Sequence, residues 1–364
     1  MTWTAADHAW MGRALQLAER GRYTTHPNPR VGCVLVREGK IIGEGWHRAP
    51  GEPHAEVNAI SNAGTDVRGA DCYVTLEPCN HTGRTPPCTD ALIKAGIGRV
   101  IAAMEDPFPE VSGRGLKTLE KAGIPVDSGL LAEQAGRLNR GFCKRWTVGL
   151  PFVTCKLAMS MDGRTALADG TSKWITGAPA RQDVQCLRAG SSAILTGIGT
   201  VLADDPRLNV RDLDCGRRQP LRVVIDSRLR FPPRARMLRQ AGRTLIMTRS
   251  HDGGLKAALE AAGAEVVVID AVKDEFLHGV LKHLASEKEV NELLVESGAT
   301  LTGGLLAAGF LDELVIYQAP LLLGDAGKGL FHLPGIGSMN ERIPLEIRDL
   351  RHVGRDLRLT LTPH

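Results

Sequence analysis

The sequence of 364 residues lacks long apolar runs, a strong net charge and abundant aromatic residues. No stretch approaches the roughly 18 consecutive apolar residues of a membrane helix, so we expect no membrane association. Its 45 basic and 41 acidic residues leave a net charge of +4, and aromatic residues make up 4%. This balance disfavours a nucleic-acid-binding surface and allows small anionic ligands. The apolar content of 43% excludes a disordered chain.

A secretory signal is also missing, because residues 1–7 do not show a basic and then apolar layout. We therefore expect a cytoplasmic protein whose eight cysteines are reduced thiols or metal ligands rather than disulfides. The length predicts two domains, at about 100–200 residues each.

Strand and helix patterns alternate along both halves of the chain, which predicts two different α/β domains. A helix over residues 4–20 begins with the capping pair Thr4 and Asp7. A helical stretch over residues 131–146 runs into Val148-Gly149-Leu150-Pro151, so we place the domains at 1–148 and 149–364. The polar segment Thr200–Arg211 is interpreted as a loop.

The strongest chemical signal is His54-Ala55-Glu56, followed by Cys79 and Cys88. One imidazole and two thiolates suit a tetrahedral zinc ion whose fourth position is open to water, as in catalytic sites. Such a metal lowers the pKa of a bound water from about 15.7 towards about 7. Glu56 is the candidate proton carrier between that water and a departing amine. Cys88 is expected just before a helix that Thr89 caps.

The alternative for each of these residues alone is a packing role, because free cysteines are commonly buried. We retain that interpretation for the remaining six cysteines, namely Cys33, Cys72, Cys143, Cys155, Cys186 and Cys215.

The second half carries weaker signals for a nucleotide. Residues 293–304 indicate a strand, a glycine-containing turn and a helix start, where backbone N–H groups can approach a pyrophosphate. The turn is not G-x-G-x-x-G, which disfavours a Rossmann domain. Ser227-Arg228 and Thr248-Arg249 follow predicted strands and suit a phosphate such as the 2′-phosphate of NADP. A plain helix start and solvated arginines remain the alternatives.

The first half resembles the zinc-dependent nucleobase and nucleotide deaminases, whose signature is H-x-E with P-C-x-x-C. It departs from that signature because eight residues separate Cys79 from Cys88. The segment His26-Pro27-Asn28-Pro29 is also typical of such enzymes, and the resemblance implies that Asn28 hydrogen-bonds the pyrimidine. The roles of His47 and His81 stay open.

The whole chain resembles the bacterial bifunctional deaminase/reductase family of riboflavin biosynthesis. The resemblance covers essentially all 364 residues, and its motifs occur in a fixed order. They are His26–Pro29, Gly51–Glu56, Thr75–Cys79, Gly83–Cys88, Ser160–Arg164, Trp174–Thr176, Thr200–Arg211 and Glu296–Gly304. The resemblance implies a cytidine-deaminase-like three-layer domain followed by a dihydrofolate-reductase-like domain.

The same resemblance implies the reactions and the residues that serve them. The first domain would deaminate a diaminopyrimidinone ribosylamine 5′-phosphate with Zn²⁺, and the second would reduce the ribosyl group to ribityl with NADPH. The implied NADPH-binding residues are Ala158, Trp174, Thr200, Asp204, Ser227 and the turn Gly298, Ala299, Thr300, Leu301, Thr302, Gly303 and Gly304. The implied substrate-binding residues of the reductase are Ser172, Arg188, Leu208, Arg211 and Glu296, with the arginines near the phosphate. We expect a homo-oligomer, a dimer or a tetramer, with no nucleic-acid partner.

Two other functions are weighed against this one. A deaminase that edits tRNA, with an accessory domain, would share His54, Glu56 and the two cysteines. The wide spacing between those cysteines and the lack of a basic, aromatic-rich stripe disfavour it. A structural zinc protein that senses a nucleotide would need a fourth protein ligand and gives Glu56 no purpose.

Overall fold

The computed structural model describes residues 2–82, 86–213 and 218–363. Gly83, Arg84 and Thr85 of the loop between the two metal-site cysteines, and Cys215, lie outside these described residues. The chain divides into two compact units, Met1–Gly149 and Leu150–His364. The sequence interpretation placed the division one residue earlier. Among the described helices, none combines the length and apolarity needed to cross a bilayer.

The first unit is a five-stranded sheet between helices. Its strands are β1 (Gly32–Arg37), β2 (Lys40–Trp46), β3 (Asp71–Val74), β4 (Arg99–Ala102) and β5 (Val126–Ser128). Its helices are α1 (Ala5–Glu19), α2 (Ala55–Asn62), α3 (Cys88–Ala95), α4 (Arg114–Lys121), α5 (Ala132–Leu138) and α6 (Arg140–Val148). The strand order is β2-β1-β3-β4-β5, in which β1 is antiparallel to β2 and β3, and the pairs β3–β4 and β4–β5 are parallel. The short strand β5 was not predicted.

Alternating residues of this sheet fill two cores, one on each face. Val34 and Tyr73 pack with α1, whereas Leu35 and Val74 pack with α2, α3 and α4. Because successive strand residues point to opposite faces, both faces of β1 and β3 are apolar and both are covered. This is the three-layer arrangement expected from the resemblance.

Two local features show why the helices begin and end where they do. The predicted capping of α1 is confirmed: the Asp7 amide donates to Thr4 Oγ1 at 3.1 Å, and the Asp7 carboxylate accepts from the Thr4 amide at 2.8 Å. The helical stretch predicted over residues 131–146 is confirmed, but it consists of two helices, because α5 ends before Asn139 and α6 begins after it. The Asn139 side chain accepts from the Arg30 amide at 2.8 Å and donates to the Arg30 carbonyl at 2.9 Å, which draws it away from a helical position.

The second unit contains a nine-stranded sheet and a two-stranded pair. Its strands are β6 (Phe152–Ser160), β7 (Arg164–Ala166), β8 (Ala193–Gly197), β9 (Leu221–Ile225), β10 (Thr244–Thr248), β11 (Glu265–Val268), β12 (Glu292–Val295), β13 (Glu313–Ala319), β14 (Lys328–Gly329), β15 (Leu345–Val353) and β16 (Asp356–Pro363). Its α-helices are α7 (Ala178–Gly190), α8 (Ile198–Asp204), α9 (Gly253–Ala261), α10 (Phe276–Ser286) and α11 (Ala299–Ala307), with short 3-10 turns at Arg236–Arg239 and Met339–Glu341.

The large sheet has the order β11-β10-β9-β8-β12-β6-β13-β16-β15. All neighbouring pairs from β11 to β13 are parallel, and β16 pairs antiparallel with both β13 and β15. Parallel strands share one carboxyl edge, where ligands of open α/β sheets bind. The segment Thr200–Arg211, expected to be a loop, begins inside α8, which follows directly from β8. The apolar residues Ile198 and Val201 of α8 are buried and pack that helix against the core.

Candidate functional site

Three potential metal ligands of the first unit converge at two helix starts. His54 immediately precedes α2, Cys88 is the first residue of α3, and Cys79 lies in the loop after β3. His54 Nδ1 lies 3.2 Å from Cys88 Sγ and 3.5 Å from Cys79 Sγ, and the three ligand atoms are all within 4.8 Å of one another. Gly45 of β2 permits this placement, because a Cβ there would lie 2.2 Å from the Ala55 carbonyl oxygen.

This cluster fits zinc in its donor types and in its spacing. Tetrahedral zinc with Zn–S bonds of about 2.3 Å and Zn–N bonds of about 2.0 Å separates its ligand atoms by roughly 3.5–3.8 Å. The observed separations of 3.2 and 3.5 Å need only small adjustments to reach that geometry. Within the described residues no fourth side chain of His, Cys, Asp or Glu joins the group. That leaves an open coordination position, as catalytic zinc sites have.

The protonation of the cluster favours metal binding at Cys79. A hydrogen bond from the Cys88 thiol lowers the pKa of Cys79, and the neighbouring His54 lowers it further. That hydrogen bond and burial raise the pKa of Cys88. The Cys88 amide donates to Cys79 Sγ at 3.4 Å, so a helix start faces the thiolate. The predicted capping of that helix by Thr89 is wrong, because Pro87 occupies the cap position. The buried Thr89 hydroxyl has no partner in the described parts of the chain.

Glu56 lies in the first turn of α2 and is 3% exposed. Burial, with the nearby Cys79 charge, raises the pKa of its carboxyl to about 7. A buried carboxyl whose protonated and ionised forms are close in energy can both accept and donate a proton near neutral pH.

Asn28 and His47 extend the cluster on the side of His54. Asn28 Nδ2 lies 3.0 Å from His47 Nε2, and the rings of His47 and His54 meet edge to face with centroids 5.1 Å apart. Burial lowers the pKa of His47 to about 4, so its ring is neutral and can accept from the Asn28 amide. His47, left open by the sequence, therefore fixes the orientation of Asn28 beside the metal cluster.

His81 lies among aromatic residues on the other side of Cys79. Its ring centroid is 6.0 Å from that of Phe108, which in turn is 4.5 Å from that of Trp146. Three buried atoms here have no hydrogen-bond partner among the described residues, namely His81 Nδ1, Asn80 Oδ1 and Trp146 Nε1. Burial raises the pKa of the nearby Asp106 carboxyl to about 7.

The other described cysteines do not join the metal cluster. Cys33 Sγ and Cys72 Sγ lie 3.5 Å apart in the core, and every cysteine in the described parts of the chain is a free thiol. The packing role expected of Cys215 concerns a residue outside those parts.

In the second unit, many of the residues named for NADPH and substrate gather at the carboxyl edge of the parallel strands. Ala158 lies on β6, Thr200 and Asp204 lie on α8 after β8, Ser227 follows β9, and Glu296 follows β12. Strand order places β12 between β8 and β6, so these positions occupy neighbouring strands.

Arg188 and Glu296 bind each other. Arg188 Nε and Nη2 donate to the two carboxylate oxygens of Glu296 at 2.6 and 2.9 Å, and Arg188 Nη1 donates to the Asn209 carbonyl at 3.1 Å. Burial opposes the charge of each group, but Arg188 lowers the pKa of Glu296, whereas Glu296 raises that of Arg188.

Further cations surround this pair. Burial and repulsion from Arg188 and Arg207 lower the pKa of Arg211. Lys156 of β6 lies near both Glu296 and Arg188, and burial lowers its pKa. Sequence reasoning missed Lys156, although a lysine inside the otherwise apolar strand Phe152–Ser160 is a signal that could have identified it.

The predicted strand, turn and helix start over residues 293–304 are confirmed. Gly298 precedes α11 without a side-chain cap, a Cβ there would meet nothing within 4 Å, and the helix start is open. The later residues face inward: Thr302 is buried, and a Cβ on Gly303 would lie 2.2 Å from the His332 carbonyl oxygen. Gly298 and Thr300 are exposed, whereas Thr302 and Gly303 are buried.

The remaining named residues differ in what they can offer. Trp174 is 69% exposed, with the Arg181 guanidinium 4.7 Å from its ring centroid. Lys173 Nζ lies 3.6 Å from Asp204 Oδ1, which connects the Ser172–Trp174 segment to α8. The Leu208 side chain is buried in the core, so a substrate could meet only its backbone.

Comparison with known proteins accounts for both units. Residues 4–104 match the cytidine and deoxycytidylate deaminase zinc-binding region, and residues 151–359 match the RibD C-terminal domain. The match of the second unit to a reductase-type domain of riboflavin biosynthesis does not favour an accessory tRNA-binding domain.

Similar proteins extend over the whole chain. The riboflavin biosynthesis protein RibD of Escherichia coli (strain K12) is 48% identical, covering 98% of this chain and 99% of that protein. The RibD of Haemophilus influenzae is 46% identical over 100% of this chain and 99% of that protein. The structure of Acinetobacter baumannii RibD superposes with a TM-score of 0.92 at 42% identity, covering 99% of both chains.

A further solved structure is that of a diaminohydroxyphosphoribosylaminopyrimidine deaminase/5-amino-6-(5-phosphoribosylamino)uracil reductase from Thermotoga maritima. It matches with a TM-score of 0.88 at 33% identity over 99% of both chains. The fold expected from the resemblance is confirmed by these matches. The chain therefore belongs to the RibD family of bifunctional riboflavin-biosynthesis enzymes, with a deaminase domain followed by a reductase domain.

Proposed function

We propose that the first unit deaminates 2,5-diamino-6-ribosylamino-4(3H)-pyrimidinone 5′-phosphate. The second unit then reduces the ribosyl group with NADPH to give 5-amino-6-(5-phosphoribitylamino)uracil. The observation that carries the proposal is the convergence of His54, Cys79 and Cys88 beside the buried Glu56. The name of the Thermotoga maritima relative describes the same pair of reactions.

In the deaminase unit, His54, Cys79 and Cys88 would hold Zn²⁺. When bound there, zinc supplies a Lewis acid that makes water more acidic. Glu56 takes a proton from the attacking water and delivers it to the departing amine, so that a C–N bond is exchanged for a C–O bond and ammonia leaves. Asn28, oriented by His47, hydrogen-bonds the pyrimidine.

In the reductase unit, the cations around Glu296 would bind the substrate. Arg188 and Arg211 recognise the 5′-phosphate, and Glu296 holds Arg188 in position through two hydrogen bonds. Ser172 and the Leu208 backbone complete the substrate contacts.

NADPH would lie along the carboxyl edge of the parallel strands. The open start of α11 at Gly298 fits a pyrophosphate, because its first N–H groups have no side-chain cap. Residues Ala158, Trp174, Thr200, Asp204 and Ser227 would line the remainder of the cofactor. NADPH supplies the hydride, and the chain positions its nicotinamide against the substrate.

Arg228 and Arg249 would recognise the 2′-phosphate of NADPH. They are exposed and follow β9 and β10, which are adjacent parallel strands, and Arg228 comes directly after Ser227. Replacing both arginines by Gln is expected to raise the KM for NADPH while the KM for NADH stays unchanged. An unchanged preference for NADPH would remove these residues from the site.

The decisive experiment incubates the zinc-loaded protein with substrate and NADPH and follows ammonia and nicotinamide absorbance together. Ammonia release should precede NADPH oxidation, because the first product is the substrate of the second step. NADPH oxidation without ammonia release would contradict the proposed order. Tight, salt-sensitive binding of tRNA would instead favour the rejected editing function.

We further propose that the protein is a cytoplasmic homo-oligomer, a dimer or a tetramer. Apolar side chains on the edge strand β15 support self-association, because Ile347 is 58% exposed and Leu350 is 56% exposed. Light scattering coupled to gel filtration measures the oligomeric state directly, and a monomer at micromolar concentration would refute this part.

A further inference from the structure

Glu77 is a buried carboxylate that forms its hydrogen bonds with backbone amides. It is 3% exposed, and Oε2 accepts from the amides of Asp106 and Gly113 at 3.0 and 2.9 Å. Oε1 accepts from the amides of Gly115 and Leu116 at 2.8 and 3.3 Å. In the described parts of the chain no Lys or Arg forms an ion pair with it. A buried carboxylate retained without a cation depends on these donors for its stability.

Three of these amides belong to the start of α4. Gly113 precedes that helix without a side-chain cap of its own, and Gly115 and Leu116 lie in its first turn. The first N–H groups of a helix have no partner within the helix, and its N-terminus favours a negative charge. Glu77 therefore caps α4 from a distant part of the sequence.

Gly115 allows the start of α4 to approach the Glu77 loop closely. A Cβ on Gly115 would lie 2.0 Å from the Pro78 carbonyl oxygen and 3.1 Å from Glu77 Oε1. Backbone therefore packs against backbone at the residue that separates Glu77 from the metal-site Cys79. The Glu77 amide also donates to the Met104 carbonyl at 3.0 Å, which fixes the loop next to β4.

The clamped segment packs against residues that follow Cys79 in the chain. Between the amides that Glu77 binds, the chain carries Phe108, whose ring lies between His81 and Trp146. His81 is two residues beyond Cys79. Glu77 thus holds together the loop that supplies a metal ligand and the segment that packs against the following residues.

We propose that Glu77 is a positioning residue of the deaminase site, which fixes Cys79 by clamping its loop to residues 106–116. This inference rests on the proposed zinc site. Mutation of the groups that hold metal ligands in place typically costs about 10- to 100-fold in metal affinity or activity. Glu77 acts through four hydrogen bonds.

The first test is Glu77→Gln, which keeps the shape but turns an NH₂ group towards two of the four donors. We expect zinc to pass to a competing chelator at least about tenfold faster than from the unsubstituted protein. Hydrogen exchange should accelerate at the amides of Gly113, Gly115 and Leu116. Excess zinc should restore ammonia release, which loss of the fold would not allow. The matched control is Glu133→Gln in the same unit. The Glu133 side chain is 73% exposed and forms a surface ion pair with Arg137.

The second test changes Gly115, which packs against Pro78, and leaves the Glu77 carboxylate intact. Gly115→Ala places a methyl group against Pro78 and should reproduce faster zinc release. Reduction of the deaminated intermediate by the second unit is the internal control in both variants. Unchanged zinc release in both variants would overturn the inference. If the unsubstituted protein itself held no zinc, the proposed metal site would fail instead.

Discussion

Replacing Glu296 by Gln tests the charge arrangement of the reductase site. Arg188 and Glu296 are joined by two hydrogen bonds at 2.6 and 2.9 Å, and their side chains are 12% and 13% exposed. Gln keeps the volume and one acceptor, but it removes the charge that balances Arg188 and Lys156. Breaking a buried pair by removing one partner costs about 3–5 kcal/mol. Because both side chains keep some contact with water, we expect about 3 kcal/mol, the lower end of that range.

The loss of stability in the Glu296→Gln variant should be confined to the second unit. For a unit of this size each kcal/mol changes Tm by about 2–4 °C, so the second unit should lose roughly 6–12 °C. Peptide-resolved hydrogen exchange in increasing urea separates the units, and β12 should lose protection while β3 keeps it. Ammonia release should stay within twofold, whereas reduction should fall because Arg188 is no longer held in place. A Tm within 2 °C of the unsubstituted value, with unchanged reduction, would refute the reasoning.

The stability difference between the protein and its Glu296→Gln variant should depend on pH in one definite direction. Burial opposes ionisation of Glu296, but Arg188 lowers its pKa in the folded state. A lowered carboxyl pKa stabilises the fold above the unfolded value of about 4.3, and that stabilisation disappears as the pH falls through the folded value. The stability difference between the protein and its Gln variant should therefore be constant above about pH 5 and should narrow in stronger acid. A difference that widened in acid would contradict the assigned ion pair.

Four further changes have distinct expected outcomes. Glu56→Gln should retain zinc and abolish ammonia release, while reduction of the deaminated intermediate continues; surviving ammonia release would contradict the proton-transfer role. Gly303→Val should detach α11 and lower the stability of the second unit, because its Cβ would lie 2.2 Å from the His332 carbonyl oxygen. Gly298→Ala, which meets nothing within 4 Å, should fold normally and raise the KM for NADPH; unaltered kinetics would exclude that turn from the cofactor site. Arg222→Met should destabilise the second unit by about 2–4 kcal/mol in urea titrations, because its guanidinium donates at 2.7 Å to the Ala241 and Gly242 carbonyls.

Periodic elements and local motifs could be predicted from the sequence because their determinants are close in the chain. The capping of α1 depends on residues three apart, and the strand–turn–helix unit around Gly298 has its own glycine and apolar signals. The candidate metal ligands could be identified from the sequence because their residue types are rare and chemically specific. Their convergence still required long-range pairing, since Gly45 of β2 admits α2 and so places His54.

Contacts between distant segments account for what sequence reasoning missed. Asn139 interrupts a helical pattern because it binds the backbone of Arg30, 109 residues away. Gly303 stays a predicted cofactor residue, but its sequence context does not show that a Cβ there would lie 2.2 Å from the His332 carbonyl oxygen. Lys156 has an apolar strand as its sequence context and acquires its significance only from Glu296 and Arg188. In each case the outcome depends on a backbone or charged group from a distant segment that lies next to the residue. The spacing of residues within one segment does not indicate which distant group that is.

Affinity for phosphates depends on the charges near the binding site rather than on the net charge of +4. Around the reductase site, Arg188, Arg207, Arg211 and Lys156 influence one another, and the carboxylates that balance them are Glu296 and Asp212. Burial and, after it, repulsion from Arg188 and Arg207 lower the pKa of Arg211, so the free protein carries an electrostatic cost at this point. A bound dianionic phosphate relieves that cost, and the gain adds to its direct hydrogen bonds. A protein of any net charge could build such a site. Under the proposed function, the positions of four cations, and not the excess of basic residues, account for the binding of a phosphorylated substrate.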